Sequence, residues 1–172
     1  MDLKHFGRTH VLFKDDARRA LLEGMTLAAE AVGCTLGPRG KTVLIQQEGS
    51  APVATKDGVT VSKAIRLSDP IPRMGAELIR EAASQTNEAA GDGTTTATIL
   101  THTMVKEGLK LLTAGFPSLD LCRGIERGTD AVLTALKAAA VPVETNEAIA
   151  QVGTVSANGD TSIGELISLA MA

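Results

Sequence analysis

Three short glycine-containing segments carry the residues of this sequence that could do chemistry, and each suits phosphate chemistry. Residues 35–40, "TLGPRG", contain two glycines, so the backbone can approach a ligand closely and present its N–H groups. Lys56, Asp57 and Gly58 offer a cation and an anion at adjacent positions of a turn. Residues 91–96, "GDGTTT", place a carboxylate between two glycines, immediately before a row of threonines.

The threonine row is unusual for a helix but suitable for its first turn. Threonine is a mediocre helix former, because its branched β-carbon restricts χ1. In a first turn, however, hydroxyls and free backbone N–H groups can hold phosphate oxygens at the positive end of the helix dipole. Asp92 would repel a phosphate, but beside a triphosphate it makes sense as a ligand of Mg²⁺, which prefers one or two carboxylates plus phosphate oxygens.

Each segment also has a simpler interpretation. "GDGTTT" could serve only as a helix N-cap, and Lys56–Asp57–Gly58 alone is merely a turn. "GPRGKT" resembles the end of a Walker A loop, but Thr35 stands where that motif requires a glycine, so the match fails. The three segments together, in this order, are far more specific than any one of them.

The elements that must position these segments are mostly helical. Apolar residues at spacings of three and four predict a helix over residues 15–34, capped by Asp15 or Asp16. Short β-branched runs at residues 42–46 and 52–56 predict a paired hairpin. The chain from Gly58 onward is predicted to continue as a short extended or mixed segment.

The second half is predicted to be helical as well. One helix runs from near Arg73 to Gly91, with Met74, Leu78, Ile79 and Ala83 on one side, and the threonine row begins the next. Another follows Pro117, which suits a first turn. In the last predicted helix, Ser162 and Glu165 have the spacing of a capping box.

Composition bounds the class of protein. The chain has 172 residues, of which 44% are hydrophobic and 22% charged, and a formal net charge of −3, so a general nucleic-acid or membrane-surface binder is not indicated. Trp and Tyr are absent, which disfavours a stacking platform for single strands. Cys34 and Cys122 are isolated, and we expect buried free thiols in a reducing compartment.

Six stretches resemble, in order and spacing, the N-terminal part of group I chaperonins, the GroEL family. They are "TLGPRGKTV", "ATKDGVTVSKAI", "AGDGTTTATIL", "GLKLLTAG", "RGIERG" and "AIAQVGTVSANGD". The resemblance covers residues 13–172 and leaves the arm 1–12 unmatched. It implies a mainly α fold, an equatorial-domain-like helical bundle with a small β-hairpin, truncated. Residues 1–140 would belong to the equatorial domain, and residues 141–172 would begin an intermediate domain, since the chain changes character at Val141.

The resemblance also implies roles for individual residues. Asp57 falls on an aspartate that assists hydrolysis near the γ-phosphate, Lys56 on a phosphate-contacting lysine, and Asp92 on the magnesium ligand. The remaining implied nucleotide-binding residues lie on the loop that grips the nucleotide and at the phosphate-binding helix start: Thr35, Leu36, Gly37, Pro38, Gly93, Thr94, Thr95 and Thr96.

The implied activity is ATP-driven protein folding by a cytoplasmic ring assembly. The resemblance implies ATP or ADP, Mg²⁺ and K⁺ as ligands, and unfolded client proteins, a heptameric homo-oligomer and a lid cochaperonin as partners, with no nucleic acid or membrane. We expect an N-terminal fragment whose missing return segment leaves an apolar face uncovered at Leu121, Ile125, Val132 and Leu136. Two alternatives stay open: a non-enzymatic assembly piece that only makes ring contacts, and an unrelated nucleotide-binding enzyme that shares phosphate loops.

Overall fold

A computed structural model describes residues 4–6, 9–47 and 49–171 of the chain. The described residues form a mainly α structure with small β-hairpins, which confirms the predicted fold class. The elements, in chain order, are β1 Lys4–Phe6, β2 Thr9–Val11, α1 Lys14–Gly33, β3 Val43–Ile45, β4 Val53–Thr55, α2 Gly58–Ala64, α3 Pro70–Ala90, α4 Thr94–Thr113, α5 Ser118–Ala139, α6 Asn146–Ser156 and α7 Thr161–Met171.

Two antiparallel hairpins accompany the helices. The predicted pairing is confirmed in β3 and β4, where Leu44 lies opposite Ala54. A second hairpin, β1 with β2, forms in the N-terminal arm, with His5 opposite His10. The arm hairpin was not predicted, because its residues lack the β-branched run that marks a strand.

The chain divides into two compact units, one ending at Phe116 and the other beginning at Pro117. The expected change from an equatorial to an intermediate domain near Val141 remains a prediction. In the second unit, α6 and α7 approach so closely that a Cβ on Gly153 would lie 3.1 Å from Gly164 Cα.

The first unit is built around a core shared by α1 and α3, in which three alanines pack with Met25 and Ile79. Met25, Ala28, Ala29, Ala76 and Ile79 form its buried cluster. This cluster contains no aromatic side chain, and its alanines let the helix backbones come close together. The unit therefore has a thin core between closely packed helices.

Glycines mark the α1–α3 crossing on both helices. A Cβ on Gly24 would overlap the carbonyl oxygen of Pro72, and one on Gly75 would overlap that of Leu21. The predicted apolar side of α3 is therefore only partly correct. Ile79 and Ala83 are buried, but Met74 and Leu78 are more than half exposed, since Gly75 and Ala76 form the contact instead.

A polar contact joins α1 to α4. The Thr26 hydroxyl donates to the Leu22 carbonyl at 2.7 Å, so His102 Nε2, 3.0 Å from Thr26 Oγ1, is the donor in that pair. Burial and the nearby Lys106 lower the pKa of His102, although Glu30 acts in the opposite direction. His102 thus acts as a packing residue between the two helices.

Several predicted helix starts are wrong. The N-cap of α1 is Phe13, with no side-chain cap hydrogen bond, while Asp15 and Asp16 pair with arginines one turn along the helix. In α7, Asp160 rather than Ser162 accepts the first backbone N–H groups, at 3.0 Å from Ser162 N. The predicted caps of α1 form ion pairs instead, and in α7 the carboxylate of Asp160 takes the place predicted for the Ser162 hydroxyl.

The segment after Asp57 is helical, not extended or mixed as predicted. Asp57 caps it, and Gly58, Val61 and Ser62 are buried, so tertiary packing outweighs the strand preference of Val59, Thr60 and Val61. Helix α3 similarly begins at Pro70, earlier than predicted, because Asp69 accepts a hydrogen bond from Ile71 N at 3.0 Å.

Helix α5 differs from the other long helices, since none of its residues is buried. Ile125, Val132 and Leu136 are exposed and Leu121 is half-buried, as expected for an uncovered apolar face. Cys34 and Cys122 are also exposed, so the prediction of buried thiols is wrong. No helix in the described part of the chain is both long and apolar enough to cross a membrane.

Candidate functional site

The first glycine segment forms a compact loop at the end of α1. Lys41 N donates to the Cys34 carbonyl at 2.7 Å and closes the loop, and Gly40 N donates to the Gly37 carbonyl at 2.9 Å. The Thr35 hydroxyl donates to the Val32 carbonyl at 2.8 Å. Within this loop Thr35 is half-buried, and Leu36, Gly37 and Pro38 are exposed.

The second segment is held by its own carboxylate. Asp57 accepts hydrogen bonds from Thr60 N at 2.9 Å, from the Thr60 hydroxyl at 2.6 Å and from Val59 N at 3.2 Å. Partial burial raises the pKa of Asp57, but these hydrogen bonds and the nearby Lys63 outweigh it and lower the pKa below its ordinary value. Asp57 is therefore an ionised carboxylate of fixed orientation at neutral pH.

The third segment starts α4 without a side-chain cap. Its N-cap is Gly93, in the left-handed conformation at φ 85°, and no side-chain cap hydrogen bond forms there among the described residues. Asp92 is exposed, its Oδ1 accepts from Gly93 N at 2.6 Å, and it has no cationic partner among the described residues. The N-terminus of α4 therefore keeps free donors beside a free carboxylate oxygen.

The threonines of this segment divide between two environments. Thr94 is buried, Thr95 is half-buried and Thr96 is exposed. One turn beyond Thr94, Thr98 is fully buried, and its hydroxyl has no hydrogen-bond partner in the part of the chain that the structure describes. The row thus supplies both a packed face and an outward face of the same helix start.

Gly58 of the second segment packs on the third segment and on the last turn of α1, which leads into the first segment. A Cβ on this glycine would overlap Thr95 Oγ1 and would lie 3.3 Å from Val32 Cγ1. The end of α1, the Lys56–Asp57–Gly58 turn and the first turn of α4 therefore pack directly on one another. A Cβ on Gly33 would likewise lie 3.5 Å from Ile99 Cδ1, which ties the end of α1 to the second turn of α4.

The assembled residues offer the donors that a phosphate chain needs. Uncapped N–H groups of α4 can donate hydrogen bonds to an anion, and Lys56 is an exposed cation with no ion-pair partner among the described residues. No group of three or more His, Cys, Asp or Glu side chains that could hold a metal occurs in the described residues. A Mg²⁺ at Asp92 would thus be completed by phosphate oxygens and water, in keeping with its usual coordination.

Sequence reasoning missed the residues that orient the predicted ones. Thr60 holds Asp57 through two hydrogen bonds, and the Thr55 hydroxyl accepts from Asp57 N at 3.0 Å. The Asp57-to-Thr60 spacing is that of an N-cap and its third helical residue, which would have signalled the helix. Nothing in the sequence alone indicated that Gly58 packs on Thr95.

Comparison with known proteins identifies the family. A sequence profile described as the TCP-1/cpn60 chaperonin family matches residues 28–172. Among solved structures, the chaperonin gp146 from bacteriophage EL 2 (Pseudomonas aeruginosa), in the presence of ATP-BeFx, is 34% identical over 94% of this chain and 28% of its own, with a TM-score of 0.78. A second crystal form of gp146 is 32% identical over 94% of this chain and 29% of its own, with a TM-score of 0.77.

A group III chaperonin in the open state shares the fold. It is 23% identical over 87% of this chain and 30% of its own, with a TM-score of 0.73. The chain thus spans less than a third of the length of these matched structures. The resemblance inferred from the sequence motifs is confirmed, and this chain belongs to the TCP-1/cpn60 chaperonin family.

Proposed function

We propose that this chain is the N-terminal, nucleotide-binding part of a chaperonin subunit that binds and hydrolyses ATP and assists protein folding. The observation that carries the proposal is the packing of Gly58 against Thr95 and Val32, because it joins the second and third phosphate-type segments at the last turn of α1, which leads into the first. A relative of the same family, gp146, was crystallised in the presence of ATP-BeFx, which supports a nucleotide as the ligand.

The proposed site divides its work among named residues. Residues on the loop after α1, namely Thr35, Leu36, Gly37 and Pro38, contact the nucleotide. Lys56 and the start of α4, with Gly93, Thr94, Thr95 and Thr96, hold phosphate oxygens. Asp92 binds Mg²⁺, which supplies charge neutralisation on the phosphates. Phosphoryl transfer at such a site depends on positioning and charge rather than covalent chemistry.

Asp57 is proposed to act on the terminal phosphate or on its attacking water. Its carboxylate has about four lone-pair positions, and three are occupied by the donors from Val59 and Thr60. One acceptor position therefore remains on Oδ1, which accepts only from Val59 N, because Oδ2 accepts both donors of Thr60. Its lowered pKa keeps that oxygen ionised at neutral pH.

The proposal extends to the whole protein of which this chain covers a part. The subunit would assemble into a ring, heptameric in our interpretation, with unfolded client proteins and a lid cochaperonin as partners. K⁺ would accompany Mg²⁺ and ATP or ADP, and the protein would act in the cytoplasm. The boundary between the equatorial and intermediate domains would lie near Val141.

Nucleotide binding by the chain tests this proposal. ATP affinity is measured by competition with a fluorescent analogue. We expect ATP to bind more tightly with Mg²⁺ than without it, and Asp92→Ala to remove that difference. Asp130→Ala, which removes an exposed carboxylate from α5, serves as the matched control and should leave affinity unchanged. If Asp92→Ala binds Mg²⁺-ATP as tightly as the unaltered chain, the metal assignment is wrong.

Hydrolysis separates the roles of the two aspartates. Asp92→Ala should weaken binding and hydrolysis together, whereas Asp57→Asn should slow single-turnover hydrolysis while binding largely survives, as for an interaction made chiefly in the transition state. Because the chain spans less than a third of the matched structures, we expect its own steady-state rate to be well below about 1 s⁻¹.

The uncovered face of α5 favours a second candidate. Exposed apolar side chains at Ile125, Val132 and Leu136 suit contacts within an assembly, so the chain could be a non-enzymatic piece that only makes ring contacts. That candidate predicts association, measured by light scattering, without any nucleotide binding. Nucleotide affinity that depends on Asp92 would rule it out.

A further inference from the structure

A basic groove lies along α3 and the end of α2, apart from the residues assigned to the nucleotide. It has a volume of about 690 Å³, and its charged lining consists of four cations and one carboxylate: Lys63, Arg66, Arg73, Arg80 and Glu77. The local excess of positive charge contrasts with the net charge of −3 for the whole chain. Such a local reversal of sign marks a surface for an anionic partner.

Most of these cations have no close ion-pair partner among the described residues. Lys63 and Arg66 are exposed and have no ion-pair partner among the described residues. The pairing of Arg80 with Glu77 is loose, at 3.8 Å between Nη2 and Oε1. The groove therefore keeps cationic groups that can pair with a ligand.

One arginine stiffens the wall of the groove. Arg73 Nε donates to the Leu67 carbonyl at 2.8 Å, and its Nη2 donates to the Ser68 carbonyl at 3.1 Å. These bonds tie the loop between α2 and α3 to the first turns of α3. The groove is thus a preorganised surface, which lowers the entropy lost on binding.

The spacing of the cations favours carboxylates over a compact phosphate. Arg73 and Arg80 are seven positions apart on one helix, which is about 10 Å along its axis. The lining is made of side chains from the end of α2, the following loop and the interior of α3, and it offers no uncapped helix N-terminus of the kind that binds phosphate. Separated guanidinium groups match carboxylates spread along a polypeptide: Arg80 can bind one, and Arg73 can offer the N–H groups that do not bond to the Leu67 and Ser68 carbonyls.

We propose that the groove formed by Lys63, Arg66, Arg73 and Arg80 is a docking site for an acidic polypeptide segment, with its glutamate or aspartate side chains spread along α3. The site lies within the first compact unit and uses none of the residues assigned to ATP. Lys63 also lies near Asp57, so the variants that test the groove are at Arg66 and Arg80, and their outcome is distinguishable from that of the nucleotide proposal.

A labelled oligoglutamate peptide tests the proposal by fluorescence anisotropy on the full chain. Arg66→Gln with Arg80→Gln should weaken binding about tenfold, as expected for losing two exposed ion pairs. The matched control removes two arginines from α1, Arg18→Gln with Arg19→Gln, and should leave affinity unchanged. Far-UV circular dichroism checks that each double variant folds. Arg66→Glu, at a residue with a single long hydrogen bond, should abolish binding by repulsion without disturbing the fold.

Three results would overturn the proposal. The first is no binding of the peptide at low salt. The second is equal loss in the groove variant and the α1 control, which would show attraction to overall charge only. The third is binding of tripolyphosphate, but not of the peptide, that depends on Arg66 and Arg80, since that result would assign the groove to a compact phosphate ligand.

Discussion

The starts of α2 and α4 contain the same dipeptide, Asp-Gly, yet the aspartate caps only the first of these helices. Asp57 is the N-cap of α2 and accepts from its first N–H groups, so that helix end is closed by a fixed anion. Asp92 stands one position before the N-cap, and Gly93 takes the cap position in the left-handed conformation, so α4 stays open. One Asp-Gly pair completes a helix, whereas the other leaves donors for a ligand.

The glycines explain the difference. Gly58 is the first residue of α2 and packs on Thr95 and Val32, and the aspartate before it is the N-cap. A Cβ built on Gly93 would lie 3.6 Å from Thr86 Cγ2, which is an ordinary contact. The φ of Gly93, 85°, is a conformation that favours glycine. The same dipeptide therefore caps the start of α2 and leaves the start of α4 without a side-chain cap.

The largest expected effect comes from filling the contact between the two helix starts. Gly58→Ala would drive a methyl group into Thr95 Oγ1, and separating α2 from α4 should cost about 2–3 kcal/mol of unfolding free energy. Gly108→Ala, inside α4 with open space around it, is the control and should stabilise by up to about 1 kcal/mol. Chemical denaturation measures both. Equal effects of the two substitutions would contradict the proposed packing.

Removing the cap of α2 should have the next largest effect. Asp57→Ala leaves the donors of Val59 and Thr60 without an acceptor and should cost about 1 kcal/mol of stability. Asp57→Asn keeps a good capping side chain without its charge, and should retain most of that stability. The difference between the two variants in a thermal melt isolates the cap, so identical melting temperatures would refute its importance.

The same change at α4 should leave stability almost unaltered. Asp92 is exposed and bonds only to the neighbouring Gly93 N, so Asp92→Asn should change the unfolding free energy by less than about 0.5 kcal/mol. Mg²⁺-dependent nucleotide affinity should nevertheless fall. A large loss of stability in Asp92→Asn would mean that the second aspartate is structural, like the first.

The smallest expected effect is a dependence on pH of the stability that Asp57 contributes as the cap of α2. The folded-state pKa of Asp57 lies below its ordinary value of 3.8, so its stabilising contribution is present above that pH and is lost as the pH falls through the folded pKa. The melting-temperature difference between the unaltered chain and Asp57→Asn should therefore shrink below pH 3.8. A constant difference across the acid range would show that the carboxylate charge plays no part.

Local signals in the sequence were sufficient for the segments that could bind phosphate and for most of the helices. Helix spacing of three and four, the glycine at the end of α3 and the threonine row at the start of α4 are properties of neighbouring residues, so they can be read without knowing the fold. The β3–β4 hairpin was predictable for the same reason, since its strands are close in sequence.

Only the tertiary structure decided which of these features face one another. Val59, Thr60 and Val61 favour a strand, and they became helical because α2 buries Gly58, Val61 and Ser62. On α3, the larger Met74 and Leu78 are exposed while Gly75 and Ala76 are buried, because α1 approaches so closely that only small residues fit. Distances between helices depend on residues far apart in the chain, and local preference cannot supply them.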